Sequence, residues 1–580
     1  MLPFLSSLLT ILLLACPVFA ASASRQLDVK LYPKSTVAFV HVPQPTQSVK
    51  QLLTYIERLE LTKFDEVQEL LQSTPIQRFH RFVGFLEKTY SRKWDTLLNG
   101  LSGHGISLAL VPVKEVKDPQ LLLSTHAQDQ ELLKQIYLAA LEVMKQEAKN
   151  GDQPVVWNQK PYREIQVTSL DNKFFIAHHR DRLIAATHHN VMIHALDQLL
   201  DQSQPSLADH PRFIQSECPN TSESMAWGWI DLNHFKSLDP AKVDELKLPA
   251  NDLIPQLLFG GLFDAFIRSD HAWFHLENTP NGPRLALTAP QGRDAAQEGA
   301  RLVHMHDARA QAMLPLLDPP GTLYSNSFYF DFATLWNERL KMFKEGAIKE
   351  IEEGDKKIKP FLVGNSLSTI LSTLGSRHRV VIAKQRETGY SIKPKVAYPA
   401  FALILECRDA DKFQKITAFP LRTAGLLFSA NTPMKMTEEL VHNTKIATYR
   451  FKEQAANTSY EGSALFNYSP SFTRVGNYFV LSSTQELCKD VVVSLQKEEK
   501  ATSDDHADIR HRFSWVALGQ ALAAEKPRVL TELTLRHGGT SDRTEEQLQV
   551  LLKLLDKLGT LELSISHSPT FRLEVATQYK

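Results

Sequence analysis

The feature that most constrains the fold is a pattern of strands and helices that occurs twice along the chain. Three pairs of positions mark it: Thr36 with Thr322, Trp227 with Ser514, and Arg284 with Arg572. The members of these pairs are 286, 287 and 288 positions apart. Self-similarity at one offset is typical of repeated units. We therefore predict a tandem duplication, and the alternative of a chance recurrence of ordinary strands stays open.

Strand pairs alternate with helices without a regular βαβ rhythm, which indicates an α+β fold. We predict two tandem related halves, each with a mainly antiparallel sheet and helices packed on it. The predicted organisation is a signal peptide at 1–23, a first α+β repeat at 24–293, a helical connection at 294–317 and a second repeat at 318–580.

A hairpin followed by a helix is predicted at the centre of each half. In the first half, strands at 174–178 and 182–187 precede a helix that ends near Leu200. In the second half, strands at 464–468 and 478–482 precede a helix at 486–495. The first helix is entered through Thr187-His188-His189 and the second through Ser482-Ser483-Thr484, so the histidines are not part of the shared pattern.

The N-terminus resembles a secretory signal peptide. Residues 4–15 form an apolar run, and small residues from Ala20 to Ala23 follow it, which is the order of an apolar core and a cleavage site. The segment before Cys16 also resembles a lipoprotein cleavage box, which predicts a lipid anchor on Cys16 as an alternative. Either reading predicts export to the periplasm, the cell surface or the medium.

Charge and hydropathy exclude two classes of partner. Lys+Arg and Asp+Glu both number 65, with no dense basic run, so we predict no nucleic-acid partner. The longest apolar segment after the N-terminus, 253–267, has 15 residues and contains Asp264. Because a spanning helix needs about 20 residues, we predict no transmembrane helix in the mature chain and read this segment as a buried core helix.

The cysteines beyond the N-terminus are Cys218, Cys407 and Cys488, which are widely spaced and odd in number. This is not a disulfide framework or a zinc motif. Two interpretations stay open: one bridge between Cys407 and Cys488, or three small buried apolar side chains.

Histidine pairs are the most conspicuous chemical feature: His178-His179 and His188-His189, followed by His194. Imidazoles suit zinc or copper. The predicted hairpin, however, separates the two pairs by about 20 Å, so we favour solvated histidines over a metal site. His304 and His306 flank Met305 on the predicted connecting helix, where positions two apart face different directions.

Familiar catalytic motifs are absent from the sequence. Gly364-Asn365-Ser366-Leu367-Ser368 begins like a nucleophile elbow but lacks the closing glycine. There is no HExxH, phosphate loop or GxGxxG pattern. We assign no catalytic, cofactor-binding or metal-ligating residue and predict no cofactor.

Aromatic residues recur in the predicted strands: Trp227, Trp229, Trp273, Phe328 and Phe330. Packing in the core or on a sheet face explains them, and an aromatic ligand surface is the alternative, because exposed apolar patches mark interaction sites.

The opening Leu31-Tyr32-Pro33-Lys34-Ser35-Thr36-Val37-Ala38-Phe39-Val40 and the later segment Ser206-Leu207-Ala208-x-x-Pro211-x-Phe213 carry a family resemblance. With the signal peptide, they resemble exported bacterial proteins that carry domain of unknown function 3352. The second half departs, with Asp505-His506-Ala507-Asp508 in place of Ser-Leu-Ala. The resemblance covers nearly the whole mature chain and implies neither an activity nor catalytic residues.

We predict a non-enzymatic exported protein that serves as a binding, scaffold or envelope-associated module, with a protein or small-molecule ligand between the halves. One alternative is an exported hydrolase whose site is assembled from distant residues, because triads are recognised by geometry. The other is a metal-binding protein that uses the histidine pairs.

Overall fold

The structure, a computed structural model, describes residues 29–150, 156–202, 204–216, 224–238, 263–307, 312–343, 345–362, 364–428, 434–453, 464–498, 507–537 and 541–579. The described chain forms two compact units. Unit 1 contains residues up to 238 together with 269–290, and unit 2 contains 263–268 together with all residues from 291. The signal-peptide region, Cys16, Cys218 and most of the predicted core helix at 253–267 lie outside the described residues.

Unit 1 is built from ten described strands: β1 (Ala38–Val42), β2 (Ile106–Val113), β3 (Val116–His126), β4 (Trp157–Tyr162), β5 (Ile165–Leu170), β6 (Phe174–His179), β7 (Arg182–Ala186), β8 (Ser224–Asp231), β9 (His271–Thr279) and β10 (Gly282–Ala289). Its helices are α1 (Pro45–Arg58), α2 (Asp65–Gln72), α3 (Thr74–Tyr90), α4 (Trp94–Ser102), α5 (Gln130–Asn150), α6 (His189–Asp201), α7 (Pro211–Gln215) and α8 (Leu232–Leu238).

The strands of unit 1 pair antiparallel in the order β4-β5-β6-β7-β3-β2-β1-β8-β9-β10. The N-terminal strand β1 is therefore central, with Phe39 opposite Ala109 on one side and Trp229 on the other. Phe39 and Trp229 are both fully buried. The core of the unit is assembled from segments nearly 200 residues apart in sequence.

Helices cover both faces of this sheet. The apolar stripe of α6, including Met192 and Leu196, belongs to the same buried cluster as Phe39 and Ala177. The neighbouring residue His178 points to the opposite face, because successive strand residues alternate. There its ring stacks on Tyr137 of α5, with centroids 5.4 Å apart.

Unit 2 also has ten described strands: β11 (Thr322–Tyr329), β12 (Leu374–Ala383), β13 (Ala400–Cys407), β14 (Met434–Val441), β15 (Thr444–Phe451), β16 (Ser471–Val475), β17 (Tyr478–Ser482), β18 (Ala507–Ser514), β19 (Thr560–Ser566) and β20 (Phe571–Gln578). Its helices are α9 (Asp264–Arg268), α10 (Glu298–His304), α11 (Phe332–Met342), α12 (Glu345–Ile358), α13 (Leu367–Leu371), α14 (Ala410–Phe428), α15 (Gln485–Lys497), α16 (Trp515–Ala524), α17 (Lys526–His537) and α18 (Ser541–Leu558).

The strands of unit 2 pair antiparallel in the order β14-β15-β16-β17-β13-β12-β11-β18-β19-β20. Reduced by ten, these numbers repeat the order of unit 1. The fold is therefore α+β with antiparallel sheets, as predicted. A shared strand order is what a duplication leaves behind, and the duplication itself stays a prediction.

The helix that follows the central hairpin also matches between the units. Both α6 and α15 have 13 residues, and each begins after a side chain that caps it. The His188 ring accepts the Asn190 backbone N–H at 3.2 Å, and the Thr484 hydroxyl accepts the Leu487 backbone N–H at 3.3 Å. His188 thus satisfies one of the donors that every helix N-terminus leaves unpaired.

Two predicted elements were wrong in detail. The segment 294–317 is helical at Glu298–His304 and in a short 3₁₀ turn at Arg293–Ala295, whereas 312–317 is not helical. Leu314 and Leu317 instead direct their carbonyls to the Ser327 and Ser325 hydroxyls of β11. The segment 464–468, predicted as a strand, contains a 3₁₀ turn, and the strand that pairs with β17 is β16. The prediction failed because both segments are too short for their apolar and polar pattern to distinguish a strand from a turn.

The cysteines that the structure describes are free thiols. Cys407 and Cys488 are free and both are buried, so the interpretation as a bridge is wrong and the interpretation as small buried apolar side chains is confirmed for these two residues. Burial raises the pKa of Cys407 to about 11 and that of Cys488 to about 12. In the described part of the chain, no helix is both long and apolar enough to cross a membrane.

Candidate functional site

The histidine pairs do not lie together. His178 and His179 end β6, whereas His188 and His189 follow the far end of β7. Burial lowers the pKa of His178 and also that of His194. Among the described residues, no group of three or more His, Cys, Asp or Glu side chains is arranged to hold a metal ion.

Other described histidines pair with an acid or a hydroxyl, and three of these pairs lie in separate places. His41 Nδ1 is 2.8 Å from Ser107 Oγ, with both residues buried in unit 1. His126 Nε2 is 3.1 Å from Asp181 Oδ2 at the β6–β7 turn. In unit 2, His567 Nδ1 is 2.8 Å from Asp508 Oδ2, where the two side chains are 0% and 2% exposed.

The buried Asp508–His567 pair acts as a structural clasp. Asp508 Oδ1 also accepts the backbone N–H of His306, which ties the segment after α10 to β18. His304 and His306 are buried in the same region, with their rings edge-on to Phe330 and Tyr329. The clasp is sealed from solvent, so a substrate does not reach its imidazole.

The predicted aromatic residues are mainly core. Trp227, Trp229, Trp273 and Phe330 are all at most 8% exposed, which confirms the packing interpretation for these four. Gly228, between two of the tryptophans, has no space for a side chain, because a Cβ there would lie 2.7 Å from the Phe39 carbonyl oxygen. The order Trp-Gly-Trp in β8 therefore reflects close packing around the glycine.

Acid is expected to destabilise unit 2 through its buried histidines. The His378 Nε2–H donates to the Phe330 carbonyl at 3.1 Å, while Nδ1 accepts the Glu406 backbone N–H at 3.3 Å. This neutral tautomer has no room for a second proton. Burial lowers the pKa of His378 to about 4, and burial also lowers that of His304 to about 4.

Protonation of these histidines stabilises the unfolded chain relative to the folded chain. An unfolded histidine has a pKa near 6.5, so the unfolded chain binds more protons than the folded chain between pH 6.5 and 4. We expect unit 2 to lose about 3 kcal/mol for each of the two histidines as the pH falls through this window. Urea unfolding followed by hydrogen exchange in unit 2, at pH 7 and pH 4.5, measures it. His378→Gln should flatten the pH dependence and the exposed His80→Gln should not; a stability that is constant with pH would contradict the prediction.

A groove beside α1 is a concave site in the described structure. Its volume is about 390 Å³. Its lining residues all have polar side chains, although their carbon atoms also contribute surface. They are Gln44, which precedes α1, then Thr46, Gln47, Lys50, Gln51 and Thr54 of α1, and Asn99 of α4. Pro43 ends β1 and Pro45 takes the first position of α1, where its missing N–H is harmless. The lining positions recur at spacings of three and four, so they share one helix face.

Some polar groups of this groove form ion pairs or hydrogen bonds within the chain, and others do not. Lys50 Nζ is 2.6 Å from Asp95 Oδ2, and this contact lowers the pKa of Asp95. Asn99 donates to Gln128 at 2.6 Å. Thr46 Oγ1 and Gln51 Oε1, by contrast, are buried atoms without a hydrogen-bond partner in the described part of the chain. Buried polar atoms of this kind call for an explanation, such as a bound molecule or water.

The groove offers hydrogen bonds rather than a reactive group. Amides and hydroxyls both donate and accept, and its one cation is neutralised by Asp95. Sequence reasoning did not single out these residues, because glutamines and threonines on one face of an amphipathic helix are typical of an ordinary solvated face. The only signal was the density of uncharged polar residues between Gln44 and Thr54.

Comparison with known proteins identifies no family for this chain. No family model matches the sequence, and no curated protein matches it. Among solved structures, the chain is similar to two crystal forms of TP0453, form III with 10% and form I with 11% sequence identity. These matches cover 45% and 46% of this chain and 78% of that chain, with TM-scores of 0.23 and 0.22. At these TM-scores, the likeness carries no argument about fold or function.

Proposed function

We propose that this chain is an exported, non-enzymatic binding protein whose ligand occupies the groove beside α1. The observation that carries the proposal is the groove itself, with Thr46 Oγ1 and Gln51 Oε1 buried and unpaired in its lining. An unpaired buried acceptor has an unfavourable free energy of about 1–3 kcal/mol, which a ligand donor would remove.

The lining specifies a neutral ligand rich in hydroxyl or amide groups. Gln51 Oε1 needs a donor, and the Thr46 hydroxyl both donates and accepts. A strongly charged ligand is disfavoured, because Lys50 is already paired with Asp95. Small saccharides and peptide amides share this chemistry.

The burial of the paired histidines supports a binding function over a catalytic one. A hydrolase would need a histidine and nucleophile that substrate reaches, whereas His41–Ser107 and Asp508–His567 are buried pairs. Catalysis needs geometry around a reacting atom. The amide and hydroxyl side chains of the groove can form hydrogen bonds with a ligand, which is the chemistry of recognition.

Isothermal titration with N-acetylglucosamine, glucose and triglycine tests the groove. We expect at least one of these probes to bind in the micromolar to millimolar range. Gln51→Leu keeps the approximate size of the side chain but removes its acceptor, so we expect affinity to fall about tenfold, in line with about 1.4 kcal/mol for one lost hydrogen bond.

The matched control is Gln135→Leu, an exposed glutamine on α5 that lies outside the groove. It should leave binding unchanged. Binding that Gln51→Leu does not weaken would place the ligand elsewhere, and the absence of binding by all three probes would contradict the proposed ligand class.

Export is a separate part of the proposal and rests on the N-terminal sequence. Fractionation of expressing bacteria should place the chain outside the cytoplasm. Mass spectrometry of the mature N-terminus should show a start at Ala21 or Ser24, whereas a lipid-modified Cys16 would support the anchor alternative. A full-length cytoplasmic chain that begins at Met1 would contradict export.

A further inference from the structure

The outer edge of β14 is an open strand edge. β14 pairs with β15 along its whole length, from Met434 with Phe451 to Val441 with Thr444. No other strand in the described part of the chain pairs with it. An unpaired edge of eight residues without proline is a template for another strand.

The contacts of β15 show which backbone groups of β14 face outward. The Tyr449 backbone N–H donates to the Pro470 carbonyl at 2.9 Å, away from β14. Its partner in the register is Met436, so the N–H and C=O of Met436 do not bond to β15. The backbone N–H and C=O groups of successive residues point to opposite edges of a strand. The outward groups therefore belong to Met434, Met436, Glu438 and Leu440.

The corresponding edge of unit 1 is blocked. β4 is first in its sheet, as β14 is in unit 2. The Val156 carbonyl, just before β4, accepts the Asp171 backbone N–H at 2.9 Å, so even-numbered positions face β5 and odd-numbered positions face outward. Pro161 occupies an outward position and has no N–H to offer. Proline on an edge strand is a known protection against pairing, and β14 lacks it.

We propose that two copies of this chain pair through β14, antiparallel, about a two-fold axis at Thr437. In this register Met436 lies opposite Glu438 of the second copy, and Met434 lies opposite its Leu440. All four outward-facing residues then form hydrogen-bonded pairs. The contact is isologous, as expected for a closed dimer.

The side chains of β14 complement one another in this register. Lys435 lies opposite Glu439 of the second copy, and this opposite-charge pair occurs twice. Each Glu439 also keeps its contacts with Lys489 and Gln485 of its own chain. Thr437 lies opposite itself at the axis, which is a favourable cross-strand pair. Leu440, which is 69% exposed in the single chain, is covered by Met434 of the second copy.

The neighbouring registers are less favourable. A shift by two residues in one direction separates Lys435 from Glu439 of the second copy and loses that opposite-charge pair. It also places Glu438 opposite Glu438, although Arg422 and Lys445 of the same chain compensate each of these carboxylates. A shift in the other direction leaves Leu440 unpaired. A single strand pair is small for a specific interface, so we expect a dissociation constant on the order of 1–100 µM.

Disulfide trapping tests the register directly. Across the axis, Thr437 forms a non-hydrogen-bonded pair with its counterpart, with Cα atoms about 4.5 Å apart. Because this separation suits a disulfide, we expect Thr437→Cys to form a covalent dimer under mild oxidation. Lys435→Cys is the matched control, because its two copies would be about 13 Å apart. Equal crosslinking by both variants, or none above the wild-type background, would overturn the proposed register.

Sedimentation velocity from 1 to 200 µM tests the association itself. We expect the wild-type chain to dimerise and Met436→Pro to weaken dimerisation at least tenfold. Proline removes an outward N–H there and leaves the bonds to β15, so circular dichroism should be unchanged. A wild-type chain that stays monomeric at 200 µM, or a dimer that Met436→Pro does not weaken, would overturn the proposal.

Discussion

Replacement of Trp229 by alanine is expected to lower the free energy of unfolding of unit 1 by about 3–5 kcal/mol. Trp229 is fully buried in the middle of β8. Its ring is edge-on to His210 and Phe213, with centroids 5.1 and 5.7 Å away. His210 directly follows the 3₁₀ turn Leu207–Asp209, and Phe213 lies in α7. The indole therefore holds this segment against the sheet. The surrounding backbone is held by β1 and β9, so the cavity cannot close.

Hydrogen exchange in urea, resolved by peptide, measures this loss within unit 1. The control is Trp157→Ala in the edge strand β4, where the indole is only half-buried and the expected loss is at most about 1 kcal/mol. Unit 2 strands should keep their protection in both variants. A loss below about 1 kcal/mol for Trp229→Ala would contradict the central place of this indole in the core.

Replacement of Arg379 by methionine is expected to lower the free energy of unfolding of unit 2 by about 3–5 kcal/mol. The Arg379 side chain is fully buried on β12. Its guanidinium holds both carboxylate oxygens of Glu498 and lies 5.5 Å from the centre of the Tyr478 ring. Because the Glu498 side chain is 17% exposed, methionine would leave a mostly buried carboxylate without its cation.

A double variant separates the charge effect from packing. In Arg379→Met with Glu498→Gln, no buried charge remains, so we expect most of the lost stability to return. Glu498→Gln alone should destabilise, because it leaves the guanidinium uncompensated. Urea unfolding at pH 7 measures all three. Equal losses in the single and double variants would show that the side-chain volume, and not the ion pair, matters at this position.

The sequence predicted elements that depend on local pattern. The helix α6 carries Val191, Met192, Ala195 and Leu196 at helical spacing, and all four are buried in the structure. The strands β6 and β7 were also placed within a residue or two, because the polar residues His179-Arg180-Asp181 indicate a turn between them. In the structure Arg180 has a positive φ at this turn. Local periodicity was sufficient for these elements.

Strand order could not be predicted in the same way. No residue of β1 selects β8 as its neighbour, because any apolar strand could form the backbone hydrogen bonds at that edge. The Arg379–Glu498 pair joins residues 119 positions apart, and each residue alone reads as an ordinary surface charge. Long-range partners of this kind depend on the whole topology.

The groove shows a related limit. Thr46 and Gln51 became notable only when their polar atoms proved buried and unpaired. Their sequence context, an amphipathic helix after a strand, is the same as that of Glu57 or Arg58, which remain exposed. Burial of individual atoms is set by how α4 packs against α1, which periodicity does not report.

The central position of β1 has a consequence for the order of folding. In unit 1, Val40 of β1 pairs with Gly228 of β8, which the ribosome adds 188 residues later. Loop closure of that length has a large entropic cost and slows folding. Phe39 therefore stays uncovered on one side until β8 has been synthesised. The same delay recurs in unit 2, where Phe328 of β11 waits for Ile509 of β18. A nascent chain of this protein thus presents, twice during synthesis, an apolar strand that lacks its neighbour, and that is when chaperones are most needed.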